Sequence, residues 1–272
     1  MDNSKGGPVY KGLGKIPDRA LLLFAGLVYL FLYAPIMVLI FFSFNSTKST
    51  QVWTGFSTQW YGELIRDGSV LNAFKLSLIV GLTATAIATV IGTLTALALS
   101  RSDFRGKTFA DSAIYAATVM PEIVVGVSLL IFFVAATIEL GIVTIIIAHV
   151  AFCISFVTIV VRARLSGMDR SVEEAAQDLG ATPVQTFLRV TLPLILPGVM
   201  AGALLALTLS FDDFVITFFV AGVGSSTLPL KIYSMIKFGV SPVINALSTV
   251  VMVSTMILIL GGSRFLSRGE NA

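Results

Sequence analysis

Long uncharged stretches alternate with short polar segments along the 272 residues of this chain. A helix of about 20 apolar residues is long enough to cross the hydrocarbon core of a bilayer. Stretches of that length predict six spans, at about residues 20–44, 76–100, 112–138, 140–161, 194–221 and 243–263. The pattern therefore predicts an all-α membrane protein with six transmembrane helices, in a single domain that covers residues 1–272.

The composition agrees with that pattern. Hydrophobic residues make up 56% of the chain and charged residues 12%, whereas a soluble domain carries about 25% charged residues. The first apolar stretch is longer than the h-region of a cleavable signal peptide, so we expect an uncleaved first helix. A single cysteine, Cys153, excludes an internal disulfide framework and a cysteine metal cluster.

The distribution of Lys and Arg predicts the orientation in the membrane. With six spans, thirteen of the 18 basic residues fall on the same side as the N-terminus. These are Lys5, Lys11, Lys15, Arg19, Arg101, Arg105, Lys107, Arg162, Arg164, Arg170, Arg189, Arg264 and Arg268. Because cytoplasmic segments are enriched in basic residues, both termini are predicted to be cytoplasmic. The net charge of +3 then reflects topology and does not indicate nucleic-acid binding.

The longest polar inner segment, residues 162–193, has the pattern of a helix–turn–helix. Ser171 and Glu174 have the spacing of a capping box that starts a helix, and Gly180 supplies the left-handed residue that ends it. Thr182-Pro183 then predicts the start of a second helix, which should stop before Pro193. The pattern indicates a rigid projection, although an ordinary intracellular loop is the alternative.

The spacing of this segment resembles the EAA loop of ABC importer permeases. It begins with Glu174-Ala175-Ala176, followed by Gly180 and by Val190, where the family usually has isoleucine, and it closes with Leu192-Pro193. The resemblance implies a type I ABC importer permease fold, in which this segment is a cytoplasmic coupling helix seated in a separate ATPase subunit. It assigns the ATPase contact to Glu173, Glu174, Ala175, Ala176, Gly180, Val190, Leu192 and Pro193.

The chain itself carries no recognisable ATP site. Gly106-Lys107-Thr108 is the nearest approach to a P-loop, but Arg101 stands where the first glycine of that motif must be. We therefore expect a non-catalytic subunit without a cofactor or metal of its own, with ATP and magnesium held by a partner ATPase.

Three carboxylates lie within the predicted spans, where each costs roughly 2.5–3.5 kcal/mol on insertion scales. The functional interpretation is a path for a cation, since acidic and aromatic groups both attract ammonium ions. The candidate pathway residues are Asp213, Asp212, Glu122, Phe211, Phe214 and Tyr233. In a regular helix Asp213 would continue a packed stripe of small residues, which makes it the first choice for the pathway. The alternative is that these carboxylates lie at the interface or form hydrogen bonds that lock the bundle.

His149 lies in the middle of the fourth predicted span. A histidine there is compatible with a proton relay or a metal ligand. Because no Asp, Glu or Cys motif accompanies it in the sequence, a hydrogen-bonded packing residue is the simpler interpretation.

A narrower resemblance comes from residues 121–126, 210–216, 227–234 and 241–247. These segments are similar to the second permease subunit of spermidine/putrescine ABC importers. The resemblance implies half of a translocation pathway for a polyamine, in a bacterial inner membrane. It also implies a homologous permease partner, two ATPase subunits and an external substrate-binding protein. The alternatives are a permease for another small solute, an ion-coupled secondary carrier that uses the carboxylates and His149, and, least supported by motifs, a membrane enzyme.

Overall fold

The computed structural model describes residues 18–49, 52–237, 239 and 242–269. Its helices are α1 (Asp18–Phe42), α2 (Gln59–Arg66), α3 (Gly68–Arg101), α4 (Lys107–Val119), α5 (Glu122–Ala135), α6 (Ile142–Ser166), α7 (Ser171–Asp178), α8 (Pro183–Thr186), a π-helical turn (Phe187–Thr191), α9 (Leu192–Asp212), α10 (Val215–Val220), α11 (Leu228–Lys237) and α12 (Pro242–Gly269). In the described residues, extended pairing is limited to one bridge between Asn45 and Phe56. The all-α prediction is confirmed.

The described helices account for most of the predicted spans. Four are long and apolar enough to cross a membrane: Leu21–Phe42, Gly68–Arg101, Ile142–Ser166 and Pro183–Asp212. The bent pair α4 and α5 provides a fifth if it is counted as one span. The sixth predicted span falls in α12, whose segment Pro242–Ile257 is a shorter apolar helix. Six spans therefore stays a prediction. Lys5, Lys11, Lys15 and the start of the 241–247 motif lie outside the described residues.

The third predicted span is not one helix, which corrects the expectation of a continuous stretch over residues 112–138. α4 ends at Val119, and the chain bends by 112° before α5 begins at Glu122. Met120 and Pro121 between them have extended backbone, with ψ angles of 133° and 131°. Proline causes this break because it lacks an N–H donor and disfavours helical geometry at the residue before it.

The start of the fifth span also differs from the prediction. The second helix of the segment 162–193 does not stop before Pro193, because α8 continues through the π-helical turn into α9. An α-helix at Pro193 would bring its ring against the carbonyl four residues earlier. The π-helical turn widens the backbone ahead of the proline, and the Leu192 N–H donates to the Phe187 carbonyl, five residues back.

The other end of the fifth span is broken, so residues 194–221 are not one regular helix. α9 ends at Asp212, Asp213 has extended backbone with ψ 123°, and α10 begins only at Val215. The geometric argument that placed Asp213 on a continuous helical stripe was therefore wrong.

The core of residues 64–240 is built from α3, α6 and α9, and small residues allow their close approach. Ala84, Ala88 and Ala96 of α3 are fully buried. A Cβ added at Gly92 would lie 2.8 Å from the Val157 side chain, and one at Gly198 would lie 2.6 Å from Arg164 Cβ. Small residues at four-residue spacing thus let these helices pack closely.

The described residues among 18–63 and 242–250 belong to a second compact unit. Within it, buried Asn45 organises the loop after α1. Its side-chain amide donates to the Ser49 carbonyl at 2.7 Å and to the Val52 carbonyl at 2.8 Å. The Trp60 indole N–H donates to the Asn45 carbonyl at 2.6 Å. This loop is therefore an ordered structure and not a simple linker.

Candidate functional site

The hairpin formed by α7, α8 and the turn between them begins differently from the prediction. Ser171 is already the first residue of α7, so the expected Ser171–Glu174 capping box does not form. Asp169 satisfies the start of α7 instead, because its carboxylate accepts a hydrogen bond from the Ser171 N–H at 2.9 Å. The same backbone hydrogen bond lowers the pKa of Asp169. Glu174 faces Arg170, with 3.5 Å between Oε1 and Nε.

The turn of the hairpin follows the sequence prediction. Gly180 has a φ of +91°, in the left-handed region that favours glycine. Thr182 caps α8: its hydroxyl accepts from the Gln185 N–H at 3.3 Å, and its own N–H donates to the Gln185 side chain at 3.0 Å. Pro183 occupies the first helical position. The short helices and their turn are therefore locally specified.

The hairpin carries large apolar side chains on its outer surface. Leu179 is 90% exposed and Val184 is 66% exposed, and Val172 and Leu188 are also exposed. Exposed apolar residues on a short polar segment are typical of a surface that binds another molecule. Leu179 and Val184 flank the turn between α7 and α8, and we call these two residues the hairpin tip.

The residues predicted to couple to an ATPase are divided between surface and interior. Glu174, Ala175, Gly180 and Pro193 are exposed, and Ala176, Val190 and Leu192 are half-buried. Glu173 differs from these seven residues because it is buried.

Glu173 joins the hairpin to two membrane helices. Its Oε2 lies 3.0 Å from Arg101 Nε at the end of α3. Its Oε1 accepts a hydrogen bond at 2.8 Å from the Thr191 hydroxyl, in the π-helical turn before α9. Sequence reasoning did not find Arg101 or Thr191 as partners, because each is far from Glu173 along the chain.

The C-terminal end of α6 is tied to its neighbours in a similar way. Arg162 forms an ion pair with Asp111 of α4. Arg164 donates from Nε to the Leu194 carbonyl at 3.2 Å, and its side-chain stem packs on Gly198 of α9. The end of α6 that leads into the hairpin is therefore fixed to α4 and α9.

At the break in the fifth span, the Asp213 carboxylate is buried and holds the start of α10. It accepts hydrogen bonds from the Ile216 N–H at 3.2 Å and from the Thr217 N–H at 2.8 Å. The Thr217 hydroxyl adds a third at 2.7 Å. Asp213 thus supplies the acceptor that the first amides of a helix require.

His149 of α6 bridges the two sides of the same break. Its Nδ1 is 2.7 Å from the Ser210 hydroxyl on α9, and its Nε2 is 2.9 Å from the Thr217 hydroxyl. The Asp213 carboxylate lies 3.2 Å from Nε2. The ring is only 2% exposed. The structure thus has His149 as a hydrogen-bonded packing residue, with an aspartate partner that the local sequence did not reveal.

α10 is attached to α6 at its far end as well. The Thr144 hydroxyl, at the start of α6, lies 2.8 Å from the Val220 carbonyl. Gly222 passes so close to Leu140 that a Cβ at position 222 would overlap the Leu140 carbonyl. Glycine is needed here for close backbone approach, and α10 is held on α6 from both ends.

The next pathway candidates lie near the break between α9 and α10. Asp212, the last residue of α9, is exposed. The rings of Phe214 and Tyr233 are 4.6 Å apart, and Phe211 meets Phe74 edge-on at 6.3 Å. The structure therefore brings Phe214 and Tyr233 together.

Glu122 is placed apart from that aromatic pair. It is exposed at the first position of α5, directly after the bend in the third predicted span. Among the described residues, no hydrogen bond or ring contact joins it to Phe214 or Tyr233.

Comparison with solved structures gives the same fold. The chain superposes on a bacterial ABC transporter chain involved in alginate import with a TM-score of 0.73, covering 96% of this chain and 99% of that chain at 16% sequence identity. It superposes on a chain of the MetNI methionine ABC transporter with a TM-score of 0.62, covering 79% of this chain and 99% of that chain at 19% identity. The predicted type I importer fold is confirmed by this agreement.

Sequence comparison identifies the family as well as the fold. The chain is 46% identical to the putrescine transport system permease protein PotI of Escherichia coli K12, over 87% of this chain and 86% of that protein. It is 42% identical to the spermidine/putrescine transport system permease protein PotC of the same strain, over 89% of this chain and 92% of that protein. The model of the binding-protein-dependent transport system inner membrane component family matches residues 88–266. The chain therefore belongs to this family and is a membrane permease subunit of ABC importers, without a catalytic role of its own.

Proposed function

We propose that this chain forms half of the translocation pathway of an ATP-driven importer for a polyamine, putrescine or spermidine. The observation that carries the proposal is the identity to two polyamine permeases over nearly nine-tenths of the chain. The exposed carboxylate of Asp212 and the aromatic pair Phe214–Tyr233 suit a flexible polycation, because both kinds of group attract ammonium ions.

The proposed complex contains four further subunits. A homologous permease supplies the other half of the pathway, two cytoplasmic ATPase subunits hold ATP and magnesium, and an external binding protein delivers the polyamine. Both termini of this chain are cytoplasmic, which puts the hairpin on the side of the ATPase. A related alginate importer has been crystallised with its periplasmic binding protein, which supports this kind of assembly.

The hairpin is the proposed coupling element. Its tip enters a groove of the ATPase, because burying Leu179 and Val184 removes apolar surface from water. Glu174, Ala175, Ala176, Gly180, Val190, Leu192 and Pro193 form the contact and its support. Glu173 acts from inside, since its links to Arg101 and Thr191 pass a displacement of the hairpin to α3 and α9.

Within the proposed pathway set, the two neighbouring aspartates have different tasks. Asp212 meets the substrate, together with Phe211, Phe214 and Tyr233. Asp213 positions these residues by capping α10, because all its hydrogen bonds go to protein groups. Glu122 attracts the polycation from the bend between α4 and α5.

The test is uptake of labelled putrescine and spermidine by proteoliposomes that contain the purified complex. We expect uptake to require enclosed ATP and the external binding protein, and to persist when an uncoupler removes the proton gradient. Uptake that continues without ATP and collapses with the uncoupler would establish an ion-coupled carrier instead. Competition by unlabelled alginate, methionine or amino acids, in place of polyamines, would overturn the substrate class.

A further inference from the structure

The loop that joins α1 to α2 has polar side chains in its interior and apolar side chains on its surface. Its described residues are 43–49 and 52–58. Ser43 and Asn45 are fully buried, whereas Val52 and Phe56 are 60% and 71% exposed and Trp53 is also exposed. A loop that folds in water ordinarily buries its apolar side chains. The reversed arrangement indicates that this loop lies against apolar surroundings.

The polar groups inside the loop are hydrogen-bonded to one another. The Thr54 N–H donates to the side-chain oxygen of Asn45 at 2.9 Å, in addition to the two bonds that the Asn45 amide donates. The Ser57 N–H donates to the Phe44 carbonyl at 2.7 Å. Backbone that approaches lipid has to satisfy its polar groups internally. The loop meets this requirement through Asn45.

The exposed rings of the loop continue the apolar surface of α1. The Trp53 ring stacks on Phe41, in the last turn of α1, with 4.2 Å between ring centroids. An adjoining cavity of about 560 Å³ is lined only by apolar residues, namely Met37, Val38, Ile40, Phe41 and Phe44. Phe41 belongs to the span-length apolar helix Leu21–Phe42. Trp53 is therefore held at the level where this span ends.

That level identifies the surroundings as lipid headgroups. Tryptophan is enriched where a membrane span meets water, because its ring is apolar and its N–H is polar. The loop also exposes Thr47 and Lys48, and a lysine can extend its ammonium group from apolar surroundings to the headgroups. A segment that exposes both kinds of side chain fits the interface better than the hydrocarbon core.

We propose that this loop is an interfacial anchor. The side chains of Val52, Trp53 and Phe56 insert into the headgroup region of the bilayer and fix the depth at which α1 ends. The stacked pairs Trp53–Phe41 and Phe56–Phe44 hold two of these side chains against the end of the span. The anchor requires only that the chain lies in a membrane, so it does not depend on a polyamine substrate.

The test measures tryptophan fluorescence of the purified complex in lipid nanodiscs. Emission of the complex with Trp53→Phe is subtracted from emission of the wild type, so that the difference belongs to Trp53. The second tryptophan of this chain, Trp60, is 3% exposed and is kept in both samples. Phenylalanine preserves an aromatic ring against Phe41, and the loop therefore stays folded.

The difference emission is recorded with lipids brominated near the headgroup, halfway along the acyl chains or near the chain ends, and with iodide in the water. We expect the largest loss of emission with bromine near the headgroup. The depth should be about 15 Å from the bilayer midplane, since the hydrocarbon core is about 30 Å thick. Quenching by iodide alone would overturn the proposal and leave this surface to the external binding protein. Absence of quenching by bromine and by iodide would overturn it in favour of cover by the partner permease.

Val52→Asp should reduce the quenching by bromine, because a carboxylate beside Trp53 is costly to bring into the membrane. Thr47→Asp is the matched control, since it adds the same charge at an exposed polar residue of the loop, and it should retain the quenching. Equal loss in both variants would overturn the insertion of this apolar surface and leave only an effect of loop charge. The fluorescence of Trp53 does not depend on uptake, so a failure of polyamine transport leaves this result readable.

Discussion

At its C-terminal end α9 stops against Asp213, whose carboxylate and His149 partner are hydrogen-bonded wholly within the protein. At its N-terminal end the π-helical turn leads back to a hairpin with exposed apolar side chains. The same helix thus connects a region whose polar groups are bonded inside the protein to a region whose apolar groups face outward. Groups that find every partner inside the chain make a fixed framework, whereas exposed apolar side chains are typical of a surface that binds another molecule.

Removing the Asp213 carboxylate should have the largest effect on stability. Asp213→Ala leaves two amides of α10 and the ring of His149 without their buried acceptor. Breaking a buried charged interaction costs about 3–5 kcal/mol. We expect a loss of that size in the free energy of unfolding, measured by titration with sodium dodecyl sulfate in mixed micelles.

Asp212→Ala is the matched control, because Asp212 is exposed at the adjacent position. The free energy of unfolding of the Asp212→Ala variant should change by less than about 0.5 kcal/mol. The Asp212→Asn variant, in contrast, should need a higher polyamine concentration for half-maximal uptake. Equal destabilisation by Asp212→Ala and Asp213→Ala would remove the distinction between the two aspartates.

A charge on the hairpin tip should weaken docking without unfolding the chain. Leu179→Asp replaces a 90% exposed side chain. Burial of a leucine in an interface contributes about 2 kcal/mol, so the affinity of the ATPase should fall about 30-fold. The affinity is measured by pull-down of the ATPase at graded concentrations. Val223→Asp, at an equally exposed apolar residue of another loop, should leave the affinity unchanged. Wild-type affinity of the Leu179→Asp variant would exclude the tip from docking.

Weakening the internal link of the hairpin should separate ATP hydrolysis from transport. Glu173→Gln keeps an acceptor for Thr191 but loses the charge opposite Arg101. An interaction of this kind is worth about 1.5–3 kcal/mol. We expect the amount of polyamine transported per ATP hydrolysed to fall about 10- to 150-fold, with the ATPase still bound.

The control for that change is Lys107→Gln, which breaks the ion pair of Lys107 with highly exposed Asp103. An exposed pair contributes under about 1 kcal/mol, and the transport ratio should not move. If Glu173→Gln also leaves the ratio unchanged, Glu173 does not transmit motion.

The smallest expected effect concerns the cap of α8. Thr182→Ala removes the hydroxyl that accepts from the Gln185 N–H, at a cost of about 1 kcal/mol. Amide hydrogen exchange should become faster at residues 184–186 and stay unchanged in α6. Protection equal to the wild type at residues 184–186 would show that packing, and not the cap, orders this part of the hairpin.

Local sequence was sufficient for part of this structure. Apolar length predicted the spans, and Gly180 with Thr182-Pro183 predicted the turn, since each depends on neighbours along the chain. The bend at Pro121 was also readable, because proline disfavours an unbroken helix. It was missed when residues 112–138 were treated as one span.

The features that sequence did not reveal depend on residues far apart. Asp213 is paired with His149, and Glu173 with Arg101, and no local pattern links the members of either pair. One signal was available, because Asp is a preferred residue just before a helix start. It is compatible with α10 beginning after Asp213.

The attachment of α10 to α6 has a mechanical consequence. Thr144 and Gly222 hold one end of α10 on α6, and His149 holds the other. α6 runs for 25 residues, about 37 Å, and its opposite end leads into the hairpin. His149 of α6 also bonds to Ser210 of α9, so we expect a tilt of the hairpin to be carried along one stiff helix to both sides of the break. Asp213 and Phe214, which join α9 to α10, should then move with α6 as one unit.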